Sequence, residues 1–314
     1  VYETVELLEK VKKEDVLSAL LQYRRKLISD GVFVRRAFAF NGTIAKHEFA
    51  LPYRDIENLT SIRKYWDDMI DAQWDALQYE EGISFNEVLE RVKKMGQMKS
   101  QDGSFYTESV KADETTKLAI RELKAGRKVV IMAEYINPSE IKALTSLEAY
   151  KHNIKSKEQD PILANGLISQ CEKALKAAGY RVAKGYGGSK ERTGYVQGFQ
   201  RDEYDVIIGT PKSISTGIDL DDQVGNKPRT LLMVTANYSG NVFQQSLGRV
   251  SRRSTKSAAK VYILISDSWS DKRRMEIVEK KLQTLAMIQN GNLKVGFSDE
   301  EQEGIEGEIN DKPV

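Results

Sequence analysis

The segment Gln245-Ser-Leu-Gly-Arg249-Val-Ser-Arg252-Arg253 carries three arginines beside a glycine. Arg249 and Arg252 are three residues apart, which on a helix puts them on one face. Two adjacent guanidinium groups repel each other unless an anion sits between them. A phosphoryl group is the natural anion, because arginine forks onto its oxygens. The plainer alternative is a solvated basic helix end, favourable near a helix C-terminus.

A second polar segment lies upstream. Tyr204-Asp-Val-Ile-Ile-Gly-Thr210 reads as a buried strand ending in threonine, and Ser215-Thr216-Gly217-Ile-Asp219-Leu220 follows it. Ligands of open α/β sheets bind beyond the carboxyl ends of strands. Hydroxyls and amides of Thr210, Ser215, Thr216 and Gly217 suit phosphate oxygens there. A routine strand-to-helix loop explains the same residues. Further upstream, Gly185, Gly187 and Gly188 form a turn.

From residue 112 onward, helices and short apolar strands alternate. Strands are expected at 128–133, 180–184, 204–209, 230–235 and 260–265. Helices are expected at 113–125, 138–150, 161–178, 189–200, 241–250 and 271–289. Such alternation predicts βαβ units and a parallel sheet. The N-terminal part reads differently: a helix over 1–30, then β-prone runs on either side of Asn41-Gly42, a strong hairpin signal. Helices at 54–80 and 84–96 follow, and the polar stretch Gly96–Ser109 is the candidate domain boundary. Trp66 and Trp74 at helical spacing read as core ahead of a base-stacking platform.

The 314 residues include one cysteine, Cys171, and two histidines, His47 and His152. A disulfide framework and a cysteine-based zinc site are excluded. No apolar run is long enough for a membrane span, and no secretory signal is visible, so a cytoplasmic, nuclear or phage-associated chain is expected. Residues 297–314 hold seven acids and one base and read as a disordered tail. The rest carries 47 bases against 39 acids, which is compatible with a polyanion partner. Val1 reads as a cut end.

The order strand, Thr210, Ser-Thr-Gly-Ile-Asp-Leu, strand, Gln-x-x-Gly-Arg-x-x-Arg resembles motifs V and VI of superfamily 2 helicases. The Gly185 turn, Arg192 and Phe199 before Tyr204 are also similar to that family's second RecA-like domain. The resemblance implies a RecA-like (P-loop NTPase-type) parallel sheet with helices on both faces, preceded by a β-hairpin and helical segment. It implies arginine fingers at Arg249 and Arg252. It places Gly217, Asp219, Gln245 and Gly248 around ATP and Mg²⁺, and Thr210, Ser215, Thr216, Gly187 and Gly188 along nucleic acid, DNA ahead of RNA. A narrower likeness is to strawberry-notch-type helicases, through Gly31–Gly42, Pro228-Arg229-Thr230, Tyr238-Ser239 and Ser257–Ser266.

No Gly-x-x-x-x-Gly-Lys-Ser/Thr loop occurs, and Asp113-Glu114 lacks a preceding buried strand, so Walker A and Walker B groups are missing. The expected division is therefore 1–52 as the end of a first RecA-like lobe or a linker, 53–110 as a helical insertion, 111–296 as the second RecA-like lobe, and 297–314 as the tail. The expected function is the C-terminal half of an ATP-dependent helicase or translocase, inactive without a separate ATP-binding lobe. A catalytically silent scaffolding module is the alternative.

Overall fold

The computed structural model describes residues 26, 40–79, 84–136, 161–214, 218–252 and 254–290. Its elements are β1 (Gly42–Phe49), α1 (Tyr53–Tyr79), α2 (Phe85–Val110), α3 (Ala112–Lys124), β2 (Lys128–Met132), α4 (Pro161–Ala177), β3 (Val182–Lys184) and α5 (Ser189–Gln200). They continue as β4 (Val206–Gly209), α6 (Pro211–Ile214), β5 (Arg229–Met233), α7 (Gly240–Val250), β6 (Ala259–Ser266) and α8 (Trp269–Asn290).

The six strands form one sheet in the order β1-β6-β5-β2-β4-β3, with every pairing parallel. A parallel sheet is covered on both faces, so its inner strands are apolar without alternation. The strands β2, β4 and β5 are buried at every residue. Their side chains divide between two cores by the period of two. Val130, Met132, Ile207, Leu231, Met233 and Val261 meet Phe199 of α5, Phe243 and Leu247 of α7, and Val278 of α8. Val129, Ile131, Val206, Ile208, Leu232 and Leu264 meet Leu118 of α3 and Leu167, Ile168 and Cys171 of α4. The expected α/β class, a parallel sheet with helices on both faces, is the fold found.

Two features of the N-terminal part differ from the expected local pattern. The strand after Asn41-Gly42 runs parallel to β6 from Gly42–Ala259 to Phe49–Ser266 and is the outermost strand among the described residues. The other arm of the expected hairpin lies outside the described residues, as do the expected helices at 1–30 and 138–150 and the acidic tail. The polar stretch 96–109 is the second half of α2, and residues 103–109 are buried. Its polar groups have distant partners. Tyr106 donates to Asp55, Ser104 accepts from Arg274, and the Glu108 carboxylate accepts the backbone N–H groups of Glu134 and Tyr135 at 2.7 and 2.9 Å.

A third core joins α1 to α2 through Leu59, Ile62, Trp66, Phe105 and Tyr106. Trp66 is buried, and its Nε1 donates to Asp102 at 3.0 Å. Trp74 is half-buried, and its ring lies 6.1 Å from that of Phe85. The helix α2 starts on a capping box, with Ser84 and Glu87 each bonding the other's backbone N–H. Among the described residues, no helix is long and apolar enough to cross a membrane.

Candidate functional site

The helix α7 begins at the N-cap Ser239 and ends at Val250. Ser251 is extended, with φ −138° and ψ 116°, so Arg252 leaves the helix. The shared helix face expected for Arg249 and Arg252 is therefore not what aligns them. Ser251 is pulled out of helical register by the N-terminal strand: its Oγ accepts from Asn41 N at 2.9 Å.

A single carbonyl brings the two arginines together instead. Arg249 Nη1 donates to Ile218 O at 3.0 Å, and Arg252 Nη2 donates to the same oxygen at 3.4 Å. Arg252 also pairs with the Asp219 carboxylate. In return, Leu220 N donates to Arg249 O at 3.0 Å. Arg249, Arg252 and Asp219 thus form one group. The Nε atoms of both arginines are buried without a hydrogen-bond partner. Burial lowers the Arg249 pKa, the neighbouring Arg252 charge lowers it further, and Asp219 opposes both. Two positive charges face one carboxylate, which leaves the group short of one negative charge. The Arg252 and Asp219 side chains are 36% and 46% exposed. An ion pair so exposed contributes only about 0–1 kcal/mol, so a phosphate can displace it at little cost.

This group lies at the amino end of the sheet. Leu220 O accepts from Arg229, the first residue of β5, and Ser251 meets Asn41, which precedes β1. The expected placement beyond the carboxyl ends of the strands therefore does not apply to Asp219 or the arginines. It does apply to Thr210, which follows the last residue of β4, and to Gly187 and Gly188, which follow β3. Thr210 is buried, and its N–H and hydroxyl both engage Ser213 in a local turn. The glycine turn is packed tightly: a Cβ on Gly185 would lie 2.7 Å from Ile214 Cγ2. Gly187 has φ +97°, which favours glycine. The structure thus brings Thr210, Gly187 and Gly188 to one end of the sheet and the arginines to the other. Gln245 is exposed and Gly248 half-buried, both on α7. Ser215, Thr216 and Gly217 lie outside the described residues.

Beside Asp219 lies a groove of about 390 Å³. The α5 residues Thr193, Val196, Gln197 and Gln200 form one wall, and Ile218, Asp219 and Gln223 form the other. Behind it sits a polar lock that the sequence reading missed. Arg229 is 3% exposed, and its Cζ lies 5.1 Å from the Phe199 ring centroid. On the same ring, Lys128 Nζ lies 4.4 Å from the centroid and bonds Asp202 at 2.8 Å. Burial lowers the pKa of both cations. Next in the chain, Asp221 Oδ2 accepts from Thr255 at 3.0 Å, and Thr255 Oγ1 accepts from Arg252 N at 2.6 Å. Asp222 binds Val224 N, Gly225 N and Ser257 Oγ at 3.1, 2.8 and 2.6 Å. A signal for the lock was present in Lys128 and Arg229, basic residues opening otherwise apolar strands.

The Asp113-Glu114 pair opens α3, where Glu114 Oε1 lies 2.8 Å from His47 Nε2 and Asp113 pairs with Lys117.

No known family profile matches the chain, and no curated protein matches it. Among solved structures, it is similar to the C-terminal part of the Fun30 ATPase domain, at 14% identity and TM-score 0.39, over 87% of this chain and 74% of that one. It is similar to the RNA helicase Prp28 from Chaetomium thermophilum bound to ADP, at 12% identity and TM-score 0.35, over 56% of this chain and 34% of that one. A DEAD box protein from Methanococcus jannaschii is similar at 14% identity and TM-score 0.35, over 54% of this chain and 37% of that one. The matched stretch is thus about a third of the length of the RNA helicase and of the DEAD box protein. At these scores the likenesses leave the functional reading to rest on the site's own geometry.

Proposed function

We propose that this chain is the C-terminal lobe of an ATP-dependent nucleic-acid helicase or translocase, DNA-directed ahead of RNA-directed. ATP would be held by a separate RecA-like lobe, in the same polypeptide or another. The observation that carries this reading is the convergence of Arg249 and Arg252 on Ile218 O, with unpartnered Nε atoms and, among the described residues, only Asp219 paired with them.

On this reading, Arg249 and Arg252 meet the terminal phosphate when the lobes close. Their N–H groups stabilise the charge that spreads over its oxygens during transfer. Asp219 gives up Arg252 and becomes free to accept from a ribose hydroxyl. Mg²⁺ held mainly by the other lobe would supply further neutralisation of the phosphate oxygens. Gly187 and Gly188 would meet the nucleic-acid backbone, with Thr210 beneath them, and Ser215 and Thr216 are assigned to the same contact.

The purified chain alone is expected to hydrolyse almost no ATP. Combined with a first lobe, it is expected to give nucleic-acid-stimulated ATPase activity that Arg249→Ala abolishes. Robust ATPase activity of the chain alone, unaffected by Arg249→Ala, would overturn the proposal. One observation favours the silent-scaffold alternative: Arg252 already has a carboxylate partner in Asp219. Absence of any stimulation in the combined lobes would select that alternative.

A further inference from the structure

We infer that Gln200 and Arg229 are positioning residues for the arginine pair, holding the backbone of residues 218–222 where the Ile218 carbonyl can gather both guanidinium groups. The inference rests on the reading of Arg249 and Arg252 as phosphate ligands and adds the device that sets their pose.

Residues 218–222 belong to no helix or strand, yet each of their carbonyls has a donor. Ile218 O takes the two arginines. Asp219 O takes Gln200 Nε2 at 2.7 Å. Leu220 O takes Arg229 Nε at 3.0 Å. Asp221 O takes Gln200 Nε2 at 3.2 Å and Arg229 Nη2 at 3.5 Å. Asp222 O takes Lys256 N at 2.8 Å. Gln200 and Arg229 therefore hold the three carbonyls between the ends of this run. They also fix each other, since Arg229 Nη2 donates to Gln200 Oε1 at 2.9 Å.

Arg229 is not itself a ligand site. Its Nε, Nη1 and Nη2 all donate to chain acceptors, with Nη1 on Lys227 O at 2.9 Å, and Phe199 lies against its guanidinium. Its charge serves the backbone of this loop. Because Leu220 N also holds Arg249 O, the loop and the end of α7 are clamped in both directions. Releasing the middle of the loop moves Ile218 O and takes with it the shared acceptor of both arginines.

The test follows the side-chain Nε–H signals of Arg249 and Arg252 by ¹⁵N NMR in the full chain, with a tripolyphosphate titration read on the same signals. Gln200→Ala is expected to speed exchange of the Arg249 Nε–H and to weaken tripolyphosphate binding by about tenfold each, the size of one charged hydrogen bond. Gln200→Glu keeps the acceptor for Arg229 but loses both donations, so it is expected to match Gln200→Ala. Arg229→Lys keeps the charge without the fork and is expected to do the same. Arg273→Ala, an exposed position on α8 paired with Glu276, is expected to change neither readout. Gln200 is half-buried on a helix end, so Gln200→Ala remains informative even where Arg229→Lys fails to fold. Unchanged exchange and affinity in a folded Gln200→Ala chain would overturn the inference. If Arg249→Ala leaves tripolyphosphate affinity intact, the phosphate reading fails, while faster exchange in Gln200→Ala still supports the positioning role.

Discussion

Lys111 Nζ lies 2.5 Å from Asp271 Oδ2 with neither side chain more than 7% exposed. The lysine also donates to Val234 O at 2.7 Å and Leu264 O at 3.0 Å, just past β5 and within β6. Asp271 in turn accepts from Ser266 N and Ser266 Oγ, both at 2.8 Å. The junction of α2 and α3 is thereby tied to the carboxyl end of the sheet and to α8. Breaking a buried pair from one side leaves an uncompensated charge, at a cost of about 3–5 kcal/mol. Lys111→Met is expected to lower the urea midpoint by that equivalent.

Asp222 supplies a pH-dependent share of stability. Burial raises its pKa, but the Ser257 hydroxyl and the N–H groups of Gly225 and Val224 outweigh it and hold the carboxyl below the ordinary aspartate range. A carboxyl depressed on folding contributes stability above its unfolded pKa and loses it as pH falls through the folded value. Asp222→Asn is expected to cost about 1.5–3 kcal/mol at neutral pH, where charged hydrogen bonds are lost. The difference from the parent chain is expected to shrink below pH about 4, near the unfolded aspartate pKa. Urea titrations at a series of pH values check this.

Arg249→Lys is expected to act like Arg249→Ala in the two-lobe ATPase. A lysine keeps the charge but loses the planar fork. The expected loss in kcat is about 10³–10⁵, the worth of an arginine finger, with KM for ATP moved little. Steady-state ATPase assays in saturating nucleic acid measure it.

Cys171 is fully buried, and burial pushes its thiol up to about 12. The thiolate is the reactive form. The native chain is therefore expected to resist Ellman's reagent, and labelling in urea is expected to follow the unfolding transition.

The parallel sheet was legible because apolar runs such as 128–133 and 204–209 alternate with amphipathic helices, a local pattern. The arginine pair was legible because its members are neighbours in sequence. What was not legible depends on partners far along the chain. The stretch 96–109 read as a polar domain boundary, yet Asp55, Arg274 and the N–H groups of residues 134 and 135 partner Tyr106, Ser104 and Glu108 in the interior. Arg252 read as helical, yet Asn41, 210 residues away, takes Ser251 out of the helix. Gln200 is unremarkable by type and spacing, and only the fold sets it under Asp219.

Thr210 and Asp219 are nine residues apart in sequence but at opposite ends of the strands. A chain of that length reaches at most about 30 Å when extended. Residues 211–214 are already wound into α6, which takes up part of that reach. Movement of Asp219 away from Thr210 is therefore limited by the reach of this tether. On the proposed reading, the stroke available to the nucleic-acid face is capped by this tether, and lengthening it by a few glycines would let ATP turn over without moving the strand.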